Sequence, residues 1–484
     1  MDAPQFDTLD VKTPLLRILE AQKAAQLREG APSAERRIDR LNRCIALLVD
    51  NRAKIEAALN ADFGCRAPQV TAVTDIAGSI GPLKHARDNL AKWMRSERRK
   101  TTPALLGLLG AKAEIRWQPK GVVGVISPWN FPVNLTFAPL AGILAAGNRA
   151  MIKPSEHTPA TSELLAQMFR SAFGEDEIAV VTGGPEVGSA FAGLPFDHLI
   201  FTGATSVGRH VMRAAAENLV PVTLELGGKS PVILSRSADM ETAAARIMAG
   251  KTLNAGQICL APDYVIAPDD RIGEFVDQSR QAVARMFPTI RDNPDYTAVV
   301  AQRHYDRIQG YLEDARAKGA EIMEINPAGE DFRQQEHRKI PPTLVLNPTD
   351  DMKVMQEEIF GPVLPVKSYR QVEEAIDYVN AHDRPLGLYW FGADAEERER
   401  VLSRTLSGGV TINDVVFHVA QEELPFGGVG PSGMGAYHGH DGFKEFSHRR
   451  AIYTQLKKDL GPMQALRPPY GEGVAKYLAG AIKG

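Results

Sequence analysis

From residue 121 onward the chain repeats one pattern, and that pattern sets its fold class. Short continuous apolar runs rich in β-branched residues, at 121–126, 149–152, 178–181, 198–201 and 222–226, alternate with helical segments. A strand that is apolar on both faces needs cover on both faces, and helical crossovers between such strands keep them parallel. A second series begins near Ser230 and runs to Asn413, with strands expected at 264–266, 343–346, 363–366, 388–391 and 409–412. The expectation is an α/β protein with two doubly wound, Rossmann-like lobes. A chain of 484 residues holds about three domain-sized units, so a further small element fits as well.

Residues 13–98, ahead of the sheets, read as helices. Leu15, Leu16, Ile18 and Leu19 begin one apolar stripe, and Ile38, Leu41, Ile45 and Leu48 mark a second. Gly64 closes a helix as a carboxyl-terminal cap. The basic cluster at 95–100 reads as a solvated helix end. Residues 101–117 interrupt the scheme, first with Pro and Gly, then with the alternating stretch from Ala113 to Trp117.

Composition excludes several classes of function. With 56 basic against 59 acidic residues and a net charge of −3, nothing marks a nucleic-acid surface. The longest apolar stretch, 135–147, contains Pro139 and falls short of the ~20 residues of a membrane span. Residues 1–7 are acidic and lack the basic and apolar regions of a signal peptide, while 474–484, with two lysines, read as a frayed amphipathic helix. Cys44, Cys65 and Cys259 form no disulfide or metal-ligand pattern. A soluble, cytoplasmic protein is expected.

Chemistry concentrates at two residues. Cys259 closes the segment Asn-Ala-Gly-Gln-Ile-Cys at 254–259, and Glu225 ends an apolar run just before Gly227 and Gly228. A thiol attacks a carbonyl carbon well and leaves well enough for its thioester to be hydrolysed. A desolvated glutamate with a raised pKa takes a proton from water near neutral pH. A lone Cys is more often a small buried hydrophobe and a lone Glu a surface charge. The small, polar surroundings of Cys259 and the glycine pair after Glu225 favour the chemical reading, and neither position reads as a core site. Asn130, between Trp129 and Phe131, is either a turn residue or a neutral donor to the alkoxide formed by thiol attack, with the Cys259 N–H as its companion.

Two motifs mislead. Residues 203–208 follow a strand and open a helix as a dinucleotide fingerprint would, but the middle glycine is missing, so a capped turn remains open. Residues 227–230 mimic the end of a P-loop, but position 223 is Thr where a glycine is required. His438, His440 and His448 have no carboxylate or thiolate at a ligand spacing, so no metal is expected.

The blocks Ser-Pro-Trp-Asn-Phe-Pro (127–132), Phe-Thr-Gly-Ala-Thr-Ser-Val-Gly (201–208), Leu-Glu-Leu-Gly-Gly-Lys-Ser-Pro (224–231), Gly-Gln-Ile-Cys (256–259) and Glu-Glu-Ile-Phe-Gly-Pro (357–362) resemble, in content and order, the signatures of the aldehyde dehydrogenase superfamily. The resemblance runs from about residue 15 to about residue 455. The closing stretch 424–439, with Phe-Ser-His-Arg at 446–449, is similar to the class 3 branch and, within it, to the bacterial coniferyl aldehyde dehydrogenases.

The resemblance implies an NAD(P)-binding domain from 1–102 and 118–226, rejoined by 414–445, and a catalytic domain over 227–413. It also implies an oligomerisation arm from 103–117 and 446–457, hence a homodimer. The reaction implied is NAD(P)-dependent oxidation of an aromatic or medium- to long-chain aldehyde to its acid. Cys259 would be the nucleophile, Glu225 the base for water and Asn130 the oxyanion donor. Trp129, Lys153, Glu156, Gly203, Ala204, Gly208, Glu358 and Phe360 would bind the cofactor, and Glu156 would favour NAD while leaving NADP possible. Phe131, Phe417, Phe426 and His438 would line the substrate pocket. Two rivals are a dehydrogenase that passes the acyl group to coenzyme A and a non-catalytic structural paralogue. Glu225 speaks against the first, and Cys259, Glu225 and Asn130 together speak against the second.

Overall fold

The computed structural model describes residues 8–458, 463–464 and 467–483. Residues 1–7, read above for a signal peptide, and the last residue of the tail lie outside the described residues. Among the described residues, the larger of two compact units comprises 8–93 and 119–447, the smaller 94–118 and those from 448 onward.

The larger unit holds two sheets. The first contains β3 (Val122–Ile126), β4 (Arg149–Lys153), β5 (Ile178–Val180), β6 (His198–Thr202), β7 (Val222–Glu225) and β15 (Gly433–Met434), in the order β15-β7-β6-β3-β4-β5. All its pairings are parallel except that of the short β15, which lies antiparallel to β7. The second contains β8 (Pro231–Leu234), β9 (Tyr264–Pro268), β10 (Glu321–Glu324), β11 (Thr343–Leu346), β12 (Val363–Tyr369), β13 (Gly387–Phe391) and β14 (Gly409–Ile412), in the order β10-β11-β12-β9-β8-β13-β14. Only β10 runs antiparallel there.

Every strand expected from an apolar run is present. In these two sheets three further strands were not expected, each for a local reason. β8 begins at a proline directly after Gly-Gly-Lys-Ser, β10 is a half-polar edge, and β15 spans two residues.

The alternation of runs and helices buries both faces of the first sheet. On one face, Leu15, Ile18 and Leu19 of helix Thr8–Glu29 and Val211 of helix Thr205–Ala216 pack with Val122, Leu199, Phe201 and Leu224. Helix Asn134–Ala146 is buried almost all round, which explains its long apolar sequence without a membrane. Among the described residues no helix is long and apolar enough to cross one.

In the smaller unit, β1 (Glu97–Arg99), β2 (Lys112–Pro119) and β16 (Ser447–Thr454) form a sheet in the order β1-β2-β16. Here the reading of 95–100 as a helix end is corrected. The helix stops at Trp93, and Glu97 to Arg99 pair antiparallel with β2, Glu97 opposite Ile115 and Arg99 opposite Ala113. Charged residues suit an edge strand, whose outer side faces water. A short helix, Ala104–Leu108, fills the Pro- and Gly-containing stretch, and the tail forms an exposed helix, Glu472–Ala481.

Candidate active site

Cys259 is presented by a loop that the sequence forces out of helical geometry. After helix Met240–Thr252, Asn254, Ala255 and Gly256 take φ values of 50°, 53° and 73°. Asn tolerates this left-handed region and Ala is strained in it. Gly256 is required sterically too, since a Cβ there would lie 2.3 Å from the Gly361 carbonyl oxygen. Gln257, fully buried, then fixes the loop: Nε2 donates to the Asn254 and Ala298 carbonyls at 2.9 and 3.1 Å, and Oε1 accepts from Val300 N at 3.0 Å. Cys259 emerges half-buried. Burial first, then the charges of Glu358 and Glu225, push its thiol up to about 12, so it rests protonated.

Asn130 is tied to that same loop. Its Nδ2 donates to the Gln257 carbonyl at 3.1 Å, and Asn254 Nδ2 donates to the Asn130 carbonyl at 3.1 Å. The second Nδ2 hydrogen stays available to a ligand. A buried ion pair supports the arrangement from behind. Arg66 donates to Asp75 at 2.6 Å, both side chains being 0% exposed, and its other Nη reaches the Asn130 carbonyl at 3.2 Å. Asp75 Oδ1 accepts from the backbone N–H groups of Val133 and Asn134, each at 3.2 Å, holding the first turn of helix Asn134–Ala146. Sequence reasoning missed this pair because Arg66 and Asp75 carry no motif and sit in a stretch read only as helical.

Glu225 ends β7, in register with Thr202 on β6 and Gly433 on β15. Contrary to its reading as a non-core position, it is 3% exposed, and neither carboxylate oxygen has a hydrogen-bond partner. The end of a central strand is enclosed by the loops that complete the site. Burial first, then the charge of Glu445, hold its pKa well above the ordinary carboxylate range. An unsatisfied buried carboxylate costs stability, which is the profile of a group kept for proton transfer. Tyr437, 2% exposed, feels the charges of both Glu225 and Cys259 and was not singled out from the sequence. Lys251 was missed as well. It is buried with no hydrogen-bond partner for Nζ, and burial lowers it to about 8.

Trp129, Lys153, Glu156, Gly203 and Ala204 follow the ends of the parallel strands β3, β4 and β6, the usual place for a dinucleotide, while Glu358 and Phe360 lie in the loop ahead of β12. At the end of β4, Lys153 is 3% exposed and donates to Glu156 at 2.7 Å. Burial would raise the Glu156 carboxyl, but that hydrogen bond and the lysine charge hold it below its ordinary value. After β6, Gly203 N donates to the Glu225 carbonyl at 3.0 Å, and Ala204 caps helix Thr205–Ala216. Gly208 allows that helix close to the sheet, since a Cβ there would meet Leu226 at 2.7 Å. The Glu358 carboxylate lies over Gly227, where a Cβ would be 2.1 Å from Oε2. Its Oε1 is buried without a partner, and burial, then Asp263, raise it to about 8. Phe360, at φ 49°, turns its ring edge-on to Trp129 at 5.3 Å. The unpartnered Glu358 oxygen beside this aromatic pair fits a nicotinamide riboside.

Among the pocket residues, Phe426 (5% exposed) stacks on His438 (9% exposed) at 5.1 Å and 27°. Burial, then His418, lower His438 to about 4, so it is neutral. Phe131 is half-buried with the Arg66 guanidinium 5.3 Å from its ring. Phe417 is 60% exposed, on a tight turn entered through Val416 at φ 68°. The described residues contain no group of three or more His, Cys, Asp and Glu side chains placed to hold a metal.

A family model described as the aldehyde dehydrogenase family matches residues 12–452. The chain is 73% identical, over the whole of both chains, to a probable coniferyl aldehyde dehydrogenase of Caulobacter vibrioides. It is 55% identical to a coniferyl aldehyde dehydrogenase of a Pseudomonas species, over 95% of each chain. A solved structure described as the substrate-bound state of Staphylococcus aureus AldH is 35% identical, with a TM-score of 0.90 over 97% of this chain and 99% of that one.

Proposed function

The chain belongs to the aldehyde dehydrogenase family, and from that premise we propose how its residues divide the work and which aldehyde they take. The reaction is NAD(P)-dependent oxidation of an aldehyde to a carboxylic acid. The observation that carries the assignment of roles is the pairing of a half-buried Cys259 with a buried Glu225 whose oxygens have no partner.

The Cys259 thiol loses its proton to solvent water, and the thiolate adds to the aldehyde carbon. Asn130 Nδ2, fixed by Gln257, and the Cys259 N–H hold the oxyanion; losing one such donor costs about 2.7–4 kcal/mol of transition-state stabilisation. When bound, a nicotinamide cofactor would supply the hydride acceptor; Glu358 and Phe360 would hold its nicotinamide riboside, and Lys153 with Glu156 its distal ribose. Cys259 then carries a thioester. Glu225 takes a proton from water, the hydroxide attacks the acyl carbon, and the carbon–sulfur bond breaks to release the acid and restore Cys259.

In this reading the first sheet, with 414–445, is the cofactor domain and the second sheet the catalytic one. The smaller unit is the dimer arm, and three unpaired cysteines suit a cytoplasmic setting. The apolar stack of Phe426 and neutral His438 favours an aromatic or extended substrate, with coniferaldehyde the leading candidate from the relatives' names. Each buried CH₂ contributes ~0.8 kcal/mol, so acetaldehyde should bind far more weakly. NADH formation with coniferaldehyde, benzaldehyde, hexanal and acetaldehyde, with and without coenzyme A, tests this. We expect coniferaldehyde to lead in kcat/KM and coenzyme A to change nothing. Equal efficiency with acetaldehyde would contradict the substrate assignment, and an absolute need for coenzyme A would contradict the hydrolytic step.

A further inference from the structure

Behind Glu225 a row of polar side chains runs along one face of the first sheet. Thr223 and Glu225 are two residues apart on β7 and therefore share a face. His198 on β6 joins them, its Nε2 2.8 Å from Thr223 Oγ1, while Lys120 Nζ lies 2.9 Å from His198 Nδ1. Thr223 Oγ1 in turn donates to Glu445 Oε1 at 2.5 Å. Glu445 ends helix Gly439–Glu445, and Gly435 makes room for it: a Cβ there would lie 2.6 Å from Glu445 Oε1 and 3.0 Å from Thr223 Cγ2.

Each hydrogen in this row has one place to go. An ammonium only donates, so His198 Nδ1 accepts from Lys120; the ring proton then sits on Nε2 and goes to Thr223, whose own proton goes to Glu445. Burial, then Lys120, keep His198 neutral, with a pKa of about 3. The row is thus polarised from a cation at one end to a carboxylate at the other.

We propose that Glu445 is a positioning residue for Glu225. The Lys120–His198–Thr223 row fixes its carboxylate behind the base, where its negative charge strengthens Glu225 as a proton acceptor and Lys120 moderates that charge. The proposal rests on the reading of Glu225 as the base. Because the Glu225 oxygens have no hydrogen-bond partners, nearby charge has unusual authority over its proton. The other titratable groups near this strand end are Cys259 and Tyr437. Helix Gly439–Glu445 also carries His440, stacked on Trp93, and Asp441, paired with Lys444. Helix Asn134–Ala146 carries no titratable residue, and the Arg209, His210 and Arg213 helix packs on the opposite face.

The test is the pH dependence of deacylation in the full-length enzyme. Activity rises as Glu225 loses its proton, so the acidic limb reports that event. Glu445→Gln removes a repelling charge and should move the limb to lower pH by roughly one to three units, the range for a unit charge about 4–12 Å away at an effective dielectric of about 20. Lys120→Met removes the moderating cation and should move it to higher pH, and Glu445→Asp should restore most of the wild-type profile. Limbs that stay put, or move in the same direction in both variants, overturn the proposal, even if melting temperature and kcat fall together. Lys120 is only partly buried, so its variant decides the matter should Glu445→Gln fail to fold. A Glu225→Gln enzyme that deacylates normally would overturn the reading of the base itself, a separate result.

Discussion

Glu156 carries the cofactor choice in this reading. Held ionised by Lys153, it would bond to ribose hydroxyls and repel a 2′-phosphate. Glu156→Gln should therefore raise the ratio of kcat/KM for NADP to that for NAD, by roughly tenfold if about 1.4 kcal/mol of repulsion is lost. An unchanged ratio would show that Glu156 does not read that part of the cofactor. At this scale the sequence was informative where a residue's neighbours set it apart. Cys259 and Glu225 were singled out by their small, polar or glycine-bearing surroundings, and Asn130 by the block that resembles the family, since residue type alone favoured the bland readings. What the sequence could not display was each residue's surroundings. The unpartnered oxygens of Glu225, the elevated Cys259 thiol and the buried Lys251 amine are properties of enclosure, contributed by distant segments.

Elements hold these residues in register, and the strongest clamp is the Arg66–Asp75 pair. It caps helix Asn134–Ala146 and grips the Asn130 carbonyl. Asp75→Asn leaves a buried guanidinium unpaired, which costs about 3–5 kcal/mol in comparable sites. A lowered denaturation midpoint together with slowed acylation is the expected outcome. Wild-type stability and rate would show that the pair is dispensable. Most strands were legible, because a short β-branched run between helical segments leaves few alternatives to a buried parallel strand. β10 and β1 were not, since edge strands carry charge and lack that signal. The left-handed run at Asn254 to Gly256 was equally hidden, although Asn and Gly flanking a small residue permit it.

At the scale of the whole molecule, the proposal concerns association. β16 is an eight-residue strand, largely exposed, with Tyr453 49% accessible. A long exposed strand is a template for pairing with another chain, and a second copy is the proposed partner. Light scattering on the purified protein should give about twice the chain mass of 52.7 kDa. A value at the single-chain mass over the micromolar range would rule the dimer out.

The central claim is that Cys259 carries the acyl group and Glu225 frees it. Glu225→Gln should keep a fast burst of NADH, one equivalent per site, and lose ~10²–10⁴-fold in steady turnover, the usual contribution of a general base. Intact-protein mass spectrometry after that burst with coniferaldehyde and NAD is the most direct measurement. The account predicts one added acyl group per chain, mapped by peptide analysis to Cys259. A burst with no adduct, or an adduct on Cys44 or Cys65, would contradict it.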